Sequence, residues 1–293
     1  MTVKNRKTTN NLHSIESKKT SNYNFINKGE EDMSEYANGN QTNHRLVMIM
    51  EKLNKYGRVD VQEIAQELDV STATIRRDFN ELEKQGHLRR VHGGAVLSNV
   101  STTFEYLYHA KVALRMDEKK RIALQAAEEI QDGDAIFLDS GTTTYQIAMC
   151  LADKKELTVI TYDMSIATVL NNHPSMQVIL TGGMVRQGYN VLVGSITENF
   201  IRNMMVDKVF LSADAIHTAF GISNANYVES GIKALLVKAG KKVILVADHT
   251  KFDKIAVSKF CNLSEIDMCI TDNEISRSMA ESIRESGVEI KCV

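Results

Sequence analysis

The sequence predicts an α/β chain in two parts: a small winged helix-turn-helix at about residues 42–97 and a larger parallel-sheet domain over 118–293. Three observations carry this. Short helical patterns with a tight turn between the second and third are followed by a ribbon pattern. From Glu118 onward, short apolar runs alternate with helical stretches, the rhythm of a sheet covered on both faces. A chain of 293 residues also fits about two domains better than one.

In the first part, Leu46, Ile49, Met50 and Leu53 mark one face of a helix that Gly57 stops. A second helix carries Val61, Ile64, Ala65 and Leu68. The turn Asp69-Val70 leads to Ser71, a good N-cap, and a third helix runs from Thr72 to about Gln85 with Ile75, Phe79 and Leu82 inward. His87 to Leu97 reads as a two-stranded ribbon, with Gly93-Gly94 in or beside its turn. Ala65 is small where two helices cross, and Asp69 tolerates left-handed geometry.

Residues 98–117 read as a linker. Beyond them, candidate strands are Ala135–Asp139, Leu157–Thr161, Gln177–Thr181, Lys208–Ala213, Lys242–Ala247 and Met268–Thr271. Helices are expected at Thr144–Ala152, Met164–Asn172, Ile196–Met205, Val228–Ala239 and Ile275–Glu285. Residues 1–41, rich in asparagine, serine, threonine and charge, sustain no period and read as a disordered tail. Lys28-Gly29-Glu30-Glu31-Asp32 before Met33 resembles a translated ribosome-binding site, so translation is expected to start at Met33.

Composition excludes several classes. The formal charge of −2 offers no global positive field, so any nucleic-acid contact must be local. The four cysteines contain no C-x-x-C pair, and no H-E-x-x-H motif occurs, so neither metal nor cofactor is expected. The cysteines read as buried reduced thiols. No apolar run approaches the ~20 residues of a membrane span and no secretory signal is visible, which reads as a cytoplasmic protein.

One candidate site is basic and lies on the winged unit. Ser71, Thr72, Thr74, Arg76 and Arg77 line the outward side of the third helix, whose N-terminus can donate amides to a phosphate. Arginine can also take a guanine edge bidentately. The ribbon adds Arg89, Arg90, His92 and Gly93. Asp78 is expected to orient Arg77 or a ribbon arginine by an ion pair. The partner this pattern implies is double-stranded DNA.

A second candidate site collects polar groups at strand ends, where open α/β sheets bind ligands. Asp139, Ser140, Gly141, Thr142, Thr143 and Thr144 end one strand and open a helix. Gly182 and Gly183 follow another, Asp214 a third, and Asp248-His249-Thr250-Lys251 a fourth; Glu229 lies nearby. An acid for sugar hydroxyls, a glycine-rich amide loop and a lysine together suit a phosphorylated sugar or polyol. Glu229 either supports this site or pairs with Lys233 one turn on.

Both halves resemble the DeoR family of bacterial regulators. The first half does so through Arg45, Ile49, Leu53, Ser71, Thr74-Ile75-Arg76-Arg77-Asp78-Phe79, Leu82-Glu83, Gly86 and Leu88 to Ala95. The second does so through Asp139 to Thr143, Thr181-Gly182-Gly183, Gly194, Ala213-Asp214, Gly221, Glu229, Asp248 and Lys251-Phe252. The resemblance covers about residues 44–270. It implies a repressor of a sugar or polyol operon whose C-terminal domain is similar to ribose-5-phosphate isomerase and CoA-transferase folds and senses a phosphorylated intermediate. Helix-turn-helix proteins bind repeated half-sites in pairs, so a homo-oligomer, dimer or tetramer, is expected.

One stretch departs from the family. Ser212-Ala213-Asp214-Ala215 stands where Gly-Ala-Asp-Gly is common, and His217 stands where an acid is frequent. Losing two glycines reduces the room for close backbone approach. Two other classes stay open at this point. Asp214 and Glu229 could serve a sugar-phosphate isomerase carrying a DNA-binding appendix, or the larger half could be an effector-independent scaffold.

Overall fold

The computed structural model describes residues 45–97 other than 47, 51, 54, 55 and 85–87, together with 111 and 115–293. The expected tail at 1–41, the start at Met33 and most of the 98–117 linker lie outside the described residues.

In the N-terminal unit, helix α1 is helical where described between 45 and 56, and buries Leu46, Ile49, Met50 and Leu53. Strand β1 (Arg58–Asp60) follows, then α2 (Val61–Glu67) and α3 (Thr72–Lys84). Asp60 caps α2, accepting from the N–H groups of Gln62 at 2.7 Å and Glu63 at 3.3 Å. Asp69 takes φ +50° in the turn between the helices, as the sequence predicts. Val59, Ile64, Ile75, Phe79, Leu82 and Leu88 complete one core with the α1 residues. Each such side chain contributes roughly 1.5–3 kcal/mol by leaving water.

The ribbon is wider than the two strands predicted. β2 (Leu88–Val91) and β3 (Gly94–Leu97) pair as expected, and β1 adds a third strand in the order β1-β3-β2. A three-residue strand is too short to reveal alternation. Gly94 is required there, because a Cβ would overlap the Val59 carbonyl across the β1–β3 pair.

The C-terminal unit is a seven-stranded, all-parallel sheet. Its strands are β4 (Ala135–Leu138), β5 (Leu157–Thr161), β6 (Met176–Leu180), β9 (Val206–Leu211), β12 (Gly240–Val246), β14 (Met268–Thr271) and β15 (Glu289–Cys292). Their order is β15-β14-β12-β9-β4-β5-β6. Helices α4 (Met116–Glu128), α5 (Thr142–Met149), α6 (Met164–Leu170), α7 (Ser195–Arg202), α8 (Tyr227–Ala239) and α9 (Arg277–Glu285) connect and cover it. Two hydrophobic clusters form its core. One includes Phe137, Val209, Leu245 and Leu236, the other Ile136, Leu138, Phe210 and Ile244. Alternate residues of one strand thus feed opposite faces.

The six predicted strands and five predicted helices are all present within a few residues. The sequence reading missed β15, whose Glu289 and Lys291 mask its character. It also missed a hairpin, β7 (Met184–Arg186) with β8 (Val191–Val193), and a small antiparallel sheet of β10 (Ala215–His217), β11 (Gly221–Asn224) and β13 (Ser258–Cys261). The expectation of buried cysteines holds for Cys261 and Cys269 only. Cys150 is half-buried and Cys292, on the edge strand β15, is exposed.

The strand order places the functional region. The chain runs β4, β5, β6 outward in one direction, then crosses to lay β9 on the other side of β4. In open parallel sheets this reversal leaves a crevice at the carboxyl ends of the two central strands. Here those ends carry Asp139–Gly141 and Ser212–Asp214.

Candidate functional sites: a basic helix face and a sheet-end cleft

On the N-terminal unit, Arg76 and Arg77 are exposed on α3, and Arg89, Arg90, His92 and Gly93 are exposed on the wing. Ser71 is exposed and starts α3: its hydroxyl accepts from the Thr74 N–H at 3.1 Å and lies 2.9 Å from the Thr74 hydroxyl. Thr72 and Thr74 are half-buried. The wing is tied to α3, because Glu83 accepts from the Arg90 N–H at 2.8 Å and Asn80 accepts from the Arg90 guanidinium. It is tied to α2 as well, through the Gly93 carbonyl, which accepts from Val61 N–H at 2.9 Å. Helix face and wing therefore form one rigid surface.

Asp78 corrects a sequence expectation. It does not orient Arg77 or a wing arginine. Its carboxylate is buried and takes a two-pronged ion pair from Arg45 of α1, with Arg45 Nη2 at 2.9 Å from Oδ1. The pairing raises the Arg45 pKa through that hydrogen bond, against the cost of burial. This one ion pair locks α1 to α3, while Arg76 and Arg77 stay exposed to solvent. No spacing in the sequence reveals this, because the partners are 33 residues apart.

In the C-terminal unit, Asp139 carries no exposed atom. Its Oδ2 accepts from Ser212 N–H at 2.7 Å and the Ser212 hydroxyl at 2.8 Å, and from Lys233 Nζ; its Oδ1 accepts from the Tyr162 hydroxyl. Lys233 is itself 1% exposed and donates further to the Ser212 carbonyl at 3.1 Å. A buried ion pair is favourable only when its remaining polar valences are filled, and this network fills them. Burial pushes the Tyr162 hydroxyl well above its ordinary pKa, and the charges of Asp139 and Glu229 add to the effect.

The same network accounts for the first departure from the glycine pattern. Ser212, standing where a glycine is common, donates its hydroxyl to Asp139 and lies 2.7 Å from the Ser140 carbonyl. It occupies the space beside Gly141, where a Cβ would come within 2.8 Å of the Ser212 Oγ. Ala215 is buried in β10 opposite Ser223. His217 Nδ1 accepts from the N–H groups of Ala219 and Phe220, at 3.2 and 3.1 Å, and so holds a turn.

Glu229 is buried and pairs with Arg186 of β7, not with Lys233; Arg186 also stacks 3.7 Å over the Tyr189 ring. Lys233 is drawn to Asp139 instead, since a fully buried carboxylate has the greater need of a cation. Ser140 is buried and donates to Asp163 Oδ2 at 3.1 Å. Burial pushes the Asp163 carboxyl up to about 6, against hydrogen bonds from Ile166, Ser165 and Ser140. Thr143 and Thr144 are buried, Gly141 and Thr142 half-buried. Gly182 and Gly183 pass over the start of α7, where Thr197 donates to the Gly182 carbonyl at 2.7 Å.

The open part of the cleft is cationic. Asp214 accepts from Ala225 N–H at 3.1 Å and from Lys111 Nζ at 2.9 Å. Burial opposes its charge, but Lys111 and Lys251 outweigh burial and hold the carboxyl well below the usual range. Asp248 caps the turn carrying Lys251 by accepting from Thr250 N–H at 3.0 Å. Burial, then the charges of Lys251 and Lys111, push Lys119 down to about 7, with Asp248 and Glu118 opposing. Lys254 is also lowered, by burial and by Lys251. Lys111, Lys119, Lys251 and Lys254 thus act on the same ground as Asp214, Asp248 and Glu118, one more cation than anions when all are charged.

Sequence reading missed Lys111, Lys119 and Lys254, and named Lys233 only as a partner for Glu229. Two of these were findable. Lys119 sits on the stripe Lys119, Ile122, Ala123, Ala126 of α4, and Lys233 beside Ile232 and Leu236 of α8. A lysine on an apolar helical stripe marks a buried charge. Among the described residues one group of potential metal ligands lies close together, His249, Asp272 and Glu274. Its histidine is hydrogen-bonded, with Nδ1 2.8 Å from Asp272.

A winged helix-turn-helix with exposed arginines, followed by a parallel sheet with a cationic cleft, defines a DNA-binding transcription regulator with an attached sensor domain. Residues 45–101 match the DeoR-like helix-turn-helix domain and residues 114–273 the DeoR C terminal sensor domain. The chain belongs to the DeoR family. It is 33% identical over 243 residues to the HTH-type transcriptional regulator GolR of Listeria innocua, covering 83% of this chain and 95% of that protein. It is 35% identical to the HTH-type transcriptional regulator GlpR of Haloferax volcanii, covering 78% of this chain and 89% of the other. With the glycerol-3-phosphate regulon repressor of Escherichia coli the identity is 30%, over 83% and 96%. Among solved structures, a D-ribose-5-phosphate isomerase in complex with phospho-erythronic acid matches 47% of this chain and 54% of its own, at 13% identity and a TM-score of 0.36. Like these regulators, the protein is a DNA-binding regulator and not an enzyme. Among the described residues, no helix is long and apolar enough to cross a membrane.

Proposed function

We propose that the protein represses a sugar or polyol catabolic operon and releases it when a phosphorylated sugar or polyol binds the cleft at the sheet's carboxyl end. The observation that carries this reading is the surplus of positive charge around Asp214 and Asp248. A phosphate ester brings roughly −1.5 to −2 charges, which a cationic cleft attracts. Asp214 is the acid for a ligand hydroxyl, Lys251 and Lys254 are the phosphate partners, and Gly141 to Thr143 with Gly182-Gly183 supply amides and hydroxyls. Asp139, Thr144 and Glu229 act from below, since their side chains are buried in the floor.

Ser71, Thr72, Thr74, Arg76, Arg77 and the wing residues Arg89, Arg90, His92 and Gly93 form the operator surface. One such unit reads few base pairs, so two copies act together on paired half-sites. The names of the Escherichia coli relatives, a glycerol-3-phosphate regulon repressor and a putative aga operon transcriptional repressor, support a repressing role. Ligand and DNA are coupled by unequal affinity for two arrangements of the chain. Thermal-shift screening of glycerol 3-phosphate, ribose 5-phosphate and fructose 6-phosphate against their unphosphorylated counterparts tests the reading. A rise in midpoint only with phosphorylated compounds supports it, and equal responses within each pair refute it.

A further inference from the structure

Lys111 differs in origin from the other described charged groups named in the cleft. It lies between the two family matches, after residue 101 and before residue 114. Yet its ammonium sits 2.9 Å from Asp214 Oδ1, at the carboxyl end of the sheet. Its backbone is held as well, because Lys119 Nζ donates to the Lys111 carbonyl. One residue of the segment joining the two domains is therefore gripped twice by the cleft.

The grip is conditional on Asp214. That carboxylate is fixed by its own loop, with Oδ2 accepting from Ala225 N–H and its N–H donating 3.1 Å to Asn224 Oδ1. It cannot follow Lys111 elsewhere. A ligand hydroxyl that takes Oδ1 must compete with the lysine. A phosphate held by Lys251 also sits among the charges that couple to Lys119.

We infer that Lys111 is a sensing-site residue supplied by the interdomain segment, and that a ligand in the cleft acts on the DNA-binding unit by displacing it from Asp214. This rests on the sensing function proposed above. Both the ion pair and the carbonyl contact make the ligand-free cleft the state that holds Lys111, and the ligand-free state is the one that binds operator. Removing the ammonium therefore imitates the ligand.

The test uses the full chain and a duplex it selects from random DNA. Without ligand, Lys111→Met is expected to lower operator affinity at least about fivefold, the scale of an ordinary allosteric coupling. Asp214→Asn is expected to do the same, and the double variant to be no weaker than either alone, because both remove one contact. Lys111→Arg should restore binding, and the unfolding midpoints should stay close to wild type. Undiminished affinity in Lys111→Met, or losses that add in full in the double variant, would overturn the inference. Glycerol 3-phosphate and ribose 5-phosphate separate its failure from that of the sensing function. A wild type whose DNA binding answers to no phosphate ester overturns both. A wild type that answers, with Lys111→Met answering equally from undiminished affinity, overturns this inference alone.

Discussion

The two halves of the chain spend their charges in opposite ways. On the DNA-binding unit Arg76, Arg77 and Arg89 stand exposed, and the ion pair that matters, Arg45 with Asp78, is turned inward to fix the helices that present them. In the sensor half the important charges are enclosed. Lys233 and Asp139 are fully buried, Lys111 and Lys251 hold the Asp214 carboxyl low against burial, and burial together with Lys251 and Lys111 lowers Lys119. Exposed arginines suit a partner that brings its own dense charge, since counterion release supplies most of the driving force. Enclosed lysines suit a small anion, which must be recognised against water at a few points where low dielectric magnifies each charge. The difference separates a surface that waits for DNA from a cleft whose balance one ligand can tip.

The largest effect is expected where burial is deepest. Lys233→Met strands the Asp139 carboxylate and should cost about 3–5 kcal/mol in urea unfolding of the sensor half. Pairing it with Asp139→Leu should recover much of that loss, because an apolar pair leaves no unpaired charge. A single variant as stable as wild type would remove the contrast between the halves.

The DNA-binding unit should divide the same way within itself. Arg76→Ala is expected to weaken operator binding roughly tenfold to a hundredfold while leaving unfolding unchanged, as loss of a base or phosphate contact does. Asp78→Ala should do the reverse at first instance, destabilising the unit by about 2 kcal/mol by leaving Arg45 without its partner. Gel retardation and circular dichroism on the two variants separate reading from folding.

How much of this was legible in the sequence follows from the range of the interactions involved. The parallel sheet was readable because each buried strand, such as Leu157–Thr161, is a short apolar run whose character needs no partner. Arg58–Asp60 and Glu289–Cys292 were not, being too short or too charged to stand out. The left-handed turn at Asp69 was readable locally. The pairs Arg45–Asp78, Arg186–Glu229 and Lys233–Asp139 were not, because the chain closes each over 33 to 94 residues. At the cleft, motif reading found Asp139, Gly141, Asp214 and Lys251 but could not distinguish floor from opening. Asp139 is enclosed, and the lysines that complete the charge balance come from α4, the interdomain segment and the loop after Lys251.

A smaller effect follows from Lys119, whose neighbours are Lys251, Lys111, Asp248 and Glu118. Its folded-state pKa of about 7 lies below the unfolded value of 10.5, so between those limits the unfolded chain binds more protons. Stability should therefore rise with pH from about 7 to about 10.5, with a slope of at most about 1.4 kcal/mol per pH unit from this group. In Lys119→Met that contribution should vanish, as thermal unfolding at pH 7 and pH 9 would reveal. An unaltered pH slope would mean that neither burial nor the neighbouring lysines hold the ammonium's pKa down.

The claim that joins the halves is that a phosphorylated small molecule in the cleft controls DNA binding. It is tested most directly by titrating a selected operator complex with glycerol 3-phosphate, ribose 5-phosphate and fructose 6-phosphate, each beside its unphosphorylated counterpart, in wild type and Lys251→Met. At least one phosphorylated compound should release the operator from wild type, its counterpart should not, and Lys251→Met should resist release. Release by phosphorylated and unphosphorylated compounds alike, or by none, would contradict that claim.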